Sequence, residues 1–184
     1  MIASKSGHAD IVELLLSKGA NLNDKNKYGD SPIMCASIGG HASVVELLLS
    51  KGANPNDKDN FGNGSIMCAS GGGYASVVEL LLSKGANPND KNNNGTSPIM
   101  FASAIGHASV VELLLSKGAN PNDKNIRGDT ALTLATAKGH KNVVKLLTFW
   151  PHCVGIIVFR ELVRDSALLY SLFDYHFMSI LSYI

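Results

Sequence analysis

The string ASVVELLLSKGANPNDK stands three times in this chain, from Ala42 to Lys58, Ala75 to Lys91 and Ala108 to Lys124, at a constant offset of 33 residues. A looser copy runs from Ala9 to Lys25. A second shared block precedes each full copy, SPIMCASIGGH from Ser31, GSIMCASGGGY from Gly64 and SPIMFASAIGH from Ser97, and a more divergent one, TALTLATAKGH, follows the last copy from Thr130. A period of this length is one supersecondary unit, too small to bury its own apolar faces, so the chain is constrained to stack near-identical neighbours into a continuous core.

Each unit reads as two short helices and a connection. Ser31 followed by Pro32 is an N-cap followed by a proline at the first helical position, where the missing N–H costs nothing. The first helix ends at Gly39 and Gly40, which accept left-handed geometry. The second starts near His41 and carries Val44, Val45, Leu47, Leu48 and Leu49, a stripe so wide that it needs cover on more than one side. It stops at Lys51 and Gly52, a cation and then a glycine at the helix C-terminus. The stretch Asn54, Pro55, Asn56, Asp57 and then Phe61, Gly62 is turn-forming.

The resulting pattern, G-x-[ST]-P-[LI]-x-x-A-x-x-x-G-H-x-x-V-V-x-L-L-L-x-x-G-A-x-x-N, resembles the ankyrin repeat over residues 1–150. The resemblance implies an all-α solenoid of stacked helix pairs with hairpin-like fingers and one concave binding face. It divides the chain into a partial repeat at 1–25, repeats starting near 26, 59, 92 and 125, and an apolar, non-repeating tail at 151–184. The tail is expected to form a helix near Val154 to Phe173 that covers the last repeat; the rival readings are contact with a membrane surface and a disordered tail that only looks apolar. Where the family carries a histidine in its T-P-L-H block, this chain has Met34, Met67, Met100 and Thr133, which keeps a packing role and loses a polar tie. The third repeat departs further, with Gly64 and Ser65 in place of Ser-Pro and with Gly71, Gly72, Gly73 and Tyr74 at its turn. Interior glycines each cost up to about 1 kcal/mol of helix stability, so this repeat is the expected weak seam.

The repeat also dissolves most candidate chemistry. His8, His41, His107 and His140 share one post-glycine register and read as structural turn residues. Cys35 and Cys68 share another and read as core thiols, because packed helices lie about 8–10 Å apart and a disulfide needs Cα atoms within about 7 Å. Cys153 beside His152 lacks the ligand spacing of a zinc site. Glycine pairs such as Gly62 and Gly64 do not join a strand to a long helix, so they do not make a phosphate cradle. No catalytic residues, metal or cofactor are expected. Sixteen Lys+Arg against fifteen Asp+Glu give a formal charge of +1, which argues against nucleic acid as a partner. No uncharged apolar run reaches the ~17 residues of a spanning helix, and three cysteines make no disulfide framework, so a cytoplasmic, reducing setting is expected.

Differences between copies point to binding. They cluster at the finger tips (Lys27, Tyr28, Asp30; Asn60, Phe61, Asn63; Asn93, Asn94, Thr96; Ile126, Arg127, Asp129) and at the ends of the first helices, including Ile38, Ile105 and Lys138. The resemblance puts these positions on the concave face, and Tyr28, Phe61 and Arg127 are of the types that anchor interfaces. Drift of exposed loops after duplication is the alternative. Glu13, Glu46, Glu79 and Glu112 form one charged stripe, Lys18, Lys51, Lys84 and Lys117 a second, and Asp57-Lys58 with its equivalents a third, all read as solvated. Asn56, Asn89 and Asn122 occupy a register that is an oxygenase substrate in many ankyrin-like proteins, although Asn54 and Pro55 break the usual flanking pattern. The expected function is non-catalytic binding of an as yet unidentified protein partner along the concave face. The alternative is a fragment whose array targets or regulates an enzymatic or membrane domain elsewhere in a longer protein.

Overall fold

The structure, a computed structural model, describes residues 1–150. Helices α1 (Ile2–Lys5) and α2 (Ala9–Ser17) form the first pair, α3 (Pro32–Gly39) and α4 (Ala42–Ser50) the second, α5 (Ser65–Gly72) and α6 (Ala75–Ser83) the third. α7 (Pro98–Ile105) and α8 (Ala108–Ser116) form the fourth pair, and α9 (Ala131–Ala137) opens a fifth that continues into helical residues 141–150. The chain divides into the units Met1–Leu147 and Thr148–Ile184. The expected capping helix at Val154 to Phe173, like His152 and Cys153, lies outside the described residues.

The stack is built from two kinds of contact. First helices pack on first helices (α1 on α3, α3 on α5, α5 on α7, α7 on α9), and second helices pack more loosely on their counterparts. Val44, Val45 and Leu48 in α4, Val77, Val78 and Leu81 in α6, and Val110, Val111 and Leu114 in α8 are fully buried, so the wide apolar stripe finds its cover in both neighbours. Met34, Met67 and Met100 are buried as well, keeping the packing role expected of them. At α2 only Val12 is buried, while Ile11, Leu14 and Leu15 are exposed.

Helix ends follow the sequence with one exception. Pro32 and Pro98 sit in the first turn, and Gly40, Gly73 and Gly106 close the first helices in left-handed geometry. The hydroxyls of Ser31 and Ser97, expected to cap, make no cap bond and are buried without a partner. Among the described residues only Thr130 caps with its side chain, and the Thr130 amide in turn donates to the Thr133 hydroxyl in a reciprocal capping box that a methionine at the same position cannot make. Thr133 thus restores in the last unit a polar tie lacking at Met34, Met67 and Met100.

The histidines tie one repeat to the next. His41, His107 and His140 stand at the N-caps of second helices, each with Nε2 3.0–3.1 Å from a carbonyl of the preceding unit, at Lys5, Gly71 and Ala104 respectively. A carbonyl only accepts, so each Nε2 carries the proton and donates. Each ring also lies over the preceding unit's turn glycine, His107 over Gly73 and His140 over Gly106. Tyr74 holds the same place over Gly40, but it makes no equivalent bond to Ile38.

The glycine-rich third unit nevertheless forms a first helix as long as its neighbours. The weakness expected of it can be divided by substitution. A Cβ on Gly71 would meet Phe101 and Ile105 at 3.8 and 3.9 Å, ordinary contact, whereas one on Gly72 would run into the Tyr74 ring. Gly71→Ala is therefore expected to stabilise the chain by up to about 1 kcal/mol through helix propensity. Tyr74→His is expected to add about 0.5–1.5 kcal/mol by supplying the missing bond. Amide exchange in α5 should slow in both variants, and unchanged exchange in either would refute its assigned cause.

Candidate functional site

Between the helix pairs the chain folds into four fingers, each organised by one side chain at its base. Oδ1 of Asn26 accepts the N–H groups of Tyr28 and Asp30 at 2.8 and 3.0 Å. Asp59 does the same for Phe61 and Asn63, Asn92 for Asn94 and Thr96, and Asn125 for Arg127 and Asp129, all at 2.8–3.0 Å. These short side chains substitute for backbone partners in a turn, which is why Asn and Asp recur there.

A second bond closes each finger. Asn26 Nδ2 donates to Asp30, and Asn125 Nδ2 donates to Asp129. In the second finger the partners are exchanged, and Asn63 Nδ2 donates to Asp59 at 2.9 Å. The third finger has Thr96 instead of a carboxylate or amide, and Asn92 reaches across to Oδ1 of Asn63 at 2.8 Å. Asp30, Asn63, Thr96 and Asp129 are partly buried and hold the finger bases.

Neighbouring tips are stitched by one backbone bond each, Asn60 to the Tyr28 carbonyl, Asn93 to that of Phe61 and Ile126 to that of Asn94, all 3.0 Å. The Asn60 and Asn93 side chains add bonds to the carbonyls of Lys27 and Asn60. At the finger bases Lys25 pairs with Asp57, Lys58 with Asp90 and Lys91 with Asp123 at 3.7, 2.7 and 3.2 Å. The third charged stripe is therefore a series of ion pairs between units, where the sequence suggested separate solvated charges. Being half exposed, each contributes about 0–1 kcal/mol, and their main effect is to fix the register of the fingers. Asn56 and Asn89 bridge units too, donating to the Gly85 and Gly118 carbonyls and accepting from the Asn87 and Asn120 amides.

What remains at the tips is a row of side chains with no structural task. Tyr28, Phe61 and Ile126 are 52%, 60% and 73% exposed, and Lys27 lies over the Tyr28 ring at 4.9 Å. Arg127 and Asn94 are exposed beside them. Ile38 and Ile105 are exposed at the ends of α3 and α7, and Lys138 at the end of α9. Among the sequence-predicted positions, the structure thus separates a group that builds the fingers from a group that the fingers present. The base residues Asn26, Asp59, Asn92 and Asn125 escaped the sequence reading, although their 33-residue recurrence was visible.

The chemistry of this surface is recognition. Among the described residues no group of three or more His, Cys, Asp or Glu is placed to hold a metal ion. Burial pushes the Cys68 thiol up to about 12, with Asp59, Asp30 and Cys35 adding to the shift, and burial raises Cys35 as well. Both thiols are free and stay protonated at neutral pH, which makes them poor nucleophiles. Among the described residues no helix is long and apolar enough to cross a membrane.

Stacked helix pairs with hydrogen-bonded fingers define a helical repeat solenoid, a class that binds through extended surfaces. A model of ankyrin repeats matches residues 1–59 and 65–154 in three copies, and the chain belongs to the ankyrin repeat family. The gap between the two matched stretches, 60–64, ends at Gly64, where the third repeat lacks its Ser-Pro start. Ankyrin repeats are generally protein-protein interaction modules, and the fold is typically non-catalytic. No curated protein matches the chain.

Proposed function

We propose that this chain is a non-catalytic module that binds a partner protein along the finger tips and the adjoining ends of the first helices. The observation that carries the reading is the contrast within the fingers. Their bases are fixed by repeated side-chain bonds, and on this rigid frame Tyr28 and Phe61 are exposed on consecutive tips. Large exposed aromatics on a pre-organised frame bind without the entropy cost of ordering loops. Two free, protonated thiols and the absence of a disulfide among the described residues support a reducing, intracellular setting.

A partner recovered by affinity capture and mass spectrometry permits the test. Changing Tyr28, Phe61 and Arg127 together to alanine should weaken binding by at least about 2 kcal/mol, roughly thirtyfold, since aromatic and Arg anchors dominate interfaces. All three side chains are exposed, so melting should be nearly unchanged. Replacing Glu46, Glu79 and Glu112 by glutamine should leave binding intact. Loss of binding in the glutamate variant with retention in the tip variant would place the site on the wrong surface.

A further inference from the structure

We infer that Asn94 is a site of spontaneous covalent modification: the fold leaves its side-chain amide open to attack by the Gly95 nitrogen and locks the same chemistry at Asn63. Of the many asparagines in the chain only Asn63 and Asn94 precede a glycine. The pairing matters because glycine has no Cβ to keep its nitrogen from the side-chain carbonyl carbon of the residue before it. The site stands on the geometry of two fingers and does not depend on what the tips bind.

The reaction needs only water and hydroxide. The Gly95 nitrogen gives up its proton and forms a bond to Cγ of Asn94. The bond from Cγ to Nδ2 breaks, and Nδ2 leaves as ammonia with a proton equivalent to the one the glycine lost. Water then opens the resulting cyclic imide at one of its two carbonyl carbons. Opening at Cγ gives aspartate on the original backbone. Opening at the main-chain carbonyl gives isoaspartate, whose backbone runs through Cβ and Cγ and is one carbon longer. Nothing is oxidised or reduced.

The two pairs occupy different places in their fingers. Asn94 and Gly95 stand at the tip, in the register of Phe61 and Gly62, whereas Asn63 and Gly64 stand at a base. Asn94 is exposed, and only its backbone is engaged, its N–H with Asn92 and its carbonyl with the Ile126 amide. The Gly95 N–H closes the turn on the Asn92 carbonyl at 2.8 Å, a single bond in an exposed loop of the kind that opens at little cost.

At Asn63 both ends of the amide are tied. Nδ2 donates to Asp59 at 2.9 Å, and Oδ1 accepts from Asn92 at 2.8 Å. Turning Cγ onto the Gly64 nitrogen breaks both bonds, one of them to a carboxylate. Gly64 is itself buried, bridged to Lys58 and set at the start of α5. Giving up two such bonds slows the attack at Asn63 by at least about tenfold relative to Asn94.

The products change the third finger. Either one adds a carboxylate, ionised at neutral pH, to a tip that carries none. Isoaspartate also lengthens the turn that Gly95 closes, and it converts the carbonyl that accepts from Ile126 into part of a free carboxylate. The modification therefore falls on the backbone bond that joins the third tip to the fourth.

The test follows the full chain folded in mildly alkaline buffer and, in parallel, unfolded in guanidinium chloride. Peptides holding residues 63 and 94 are separated by chromatography into asparagine, aspartate and isoaspartate forms and identified by mass. In the folded chain Asn94 should convert at least about tenfold faster than Asn63, and in denaturant the two rates should draw together. Conversion at Asn94 should rise with hydroxide, and Asn94→Gln, whose longer side chain disfavours the cyclisation, should abolish it with melting unchanged. A folded-chain ratio no larger than the ratio in denaturant would mean that the fold does not choose between the pairs, and the inference would fall. Asn94 held as inert as Asn63 in the folded chain would overturn it too, by showing that the Gly95 turn bond alone blocks attack.

Discussion

Leu81→Ala should lower the stability of the chain by about 2–5 kcal/mol, the range for a leucine removed from a core that relaxes only partly. Leu81 is fully buried in α6, the second helix of the central unit, which packs on both α4 and α8. In a stack where each unit touches only its neighbours, a cavity here weakens two interfaces, while the same change in a terminal unit weakens one. Leu82, next in the same helix, is only partly buried, and Leu82→Ala should cost less than half as much. Urea unfolding reads both. A fall in midpoint with an unchanged slope means that the array still unfolds as one, and a fall in slope means that it has parted at the cavity. Equal losses from Leu81→Ala and Leu82→Ala would contradict the burial account.

The period made the helices legible. Once equivalent positions are aligned, the first-helix start at Pro32, the stop at Gly40 and the second helix after His41 follow from proline, glycine and the apolar stripe, and the structure places them there. Contacts between units were not legible, because they depend on how a unit is rotated onto the next. Most of the bonded positions lie 29, 31, 32 or 36 residues apart, as in Asn56 to Gly85, Asn87 to Asn56, Lys58 to Asp90 and His41 to Lys5, and alignment by 33 puts these partners in different columns. The bonds of the Asn60 and Asn93 side chains to the Lys27 and Asn60 carbonyls do span 33 residues, but they join a side chain to a backbone group that the sequence does not mark.

Variation between copies is of two kinds. Asp30, Asn63, Thr96 and Asp129 differ from copy to copy and so read as a binding set, yet they hold the finger bases. Aligned beside Asn26, Asp59, Asn92 and Asn125, the pairs read Asn with Asp, Asp with Asn, Asn with Thr, and Asn with Asp. An amide faces a carboxylate in three of the four pairs, with donor and acceptor exchanged in one. Compensating change of that kind is the signature of a contact, whereas Tyr28, Phe61, Asn94 and Arg127 vary with no matching partner. Separating paired from unpaired variation would have narrowed the candidate surface from sequence.

The histidine ties give the second large effect, at Gly73. This residue closes α5 at φ +76°, where an L side chain is strained by about 1–2 kcal/mol, and a Cβ there would lie 2.6 Å from Nδ1 of His107. Gly73→Val should therefore do two things: strain the backbone, and push the His107 ring off the bond that its Nε2 donates to Gly71 at 3.1 Å. Losing that bond costs about a further 1 kcal/mol, before any loss of packing between the units. Gly52 separates the two causes, since it stands at φ +93° with nothing within 4 Å of a Cβ, so Gly52→Val carries the strain alone. The expected result is that Gly73→Val destabilises the chain by at least about 1 kcal/mol more than Gly52→Val. In a His107→Ala background that excess should vanish, because the ring to be displaced is gone. An excess that survived removal of the imidazole would show that the glycine is required by the turn itself and owes nothing to the residue stacked on it from the next repeat.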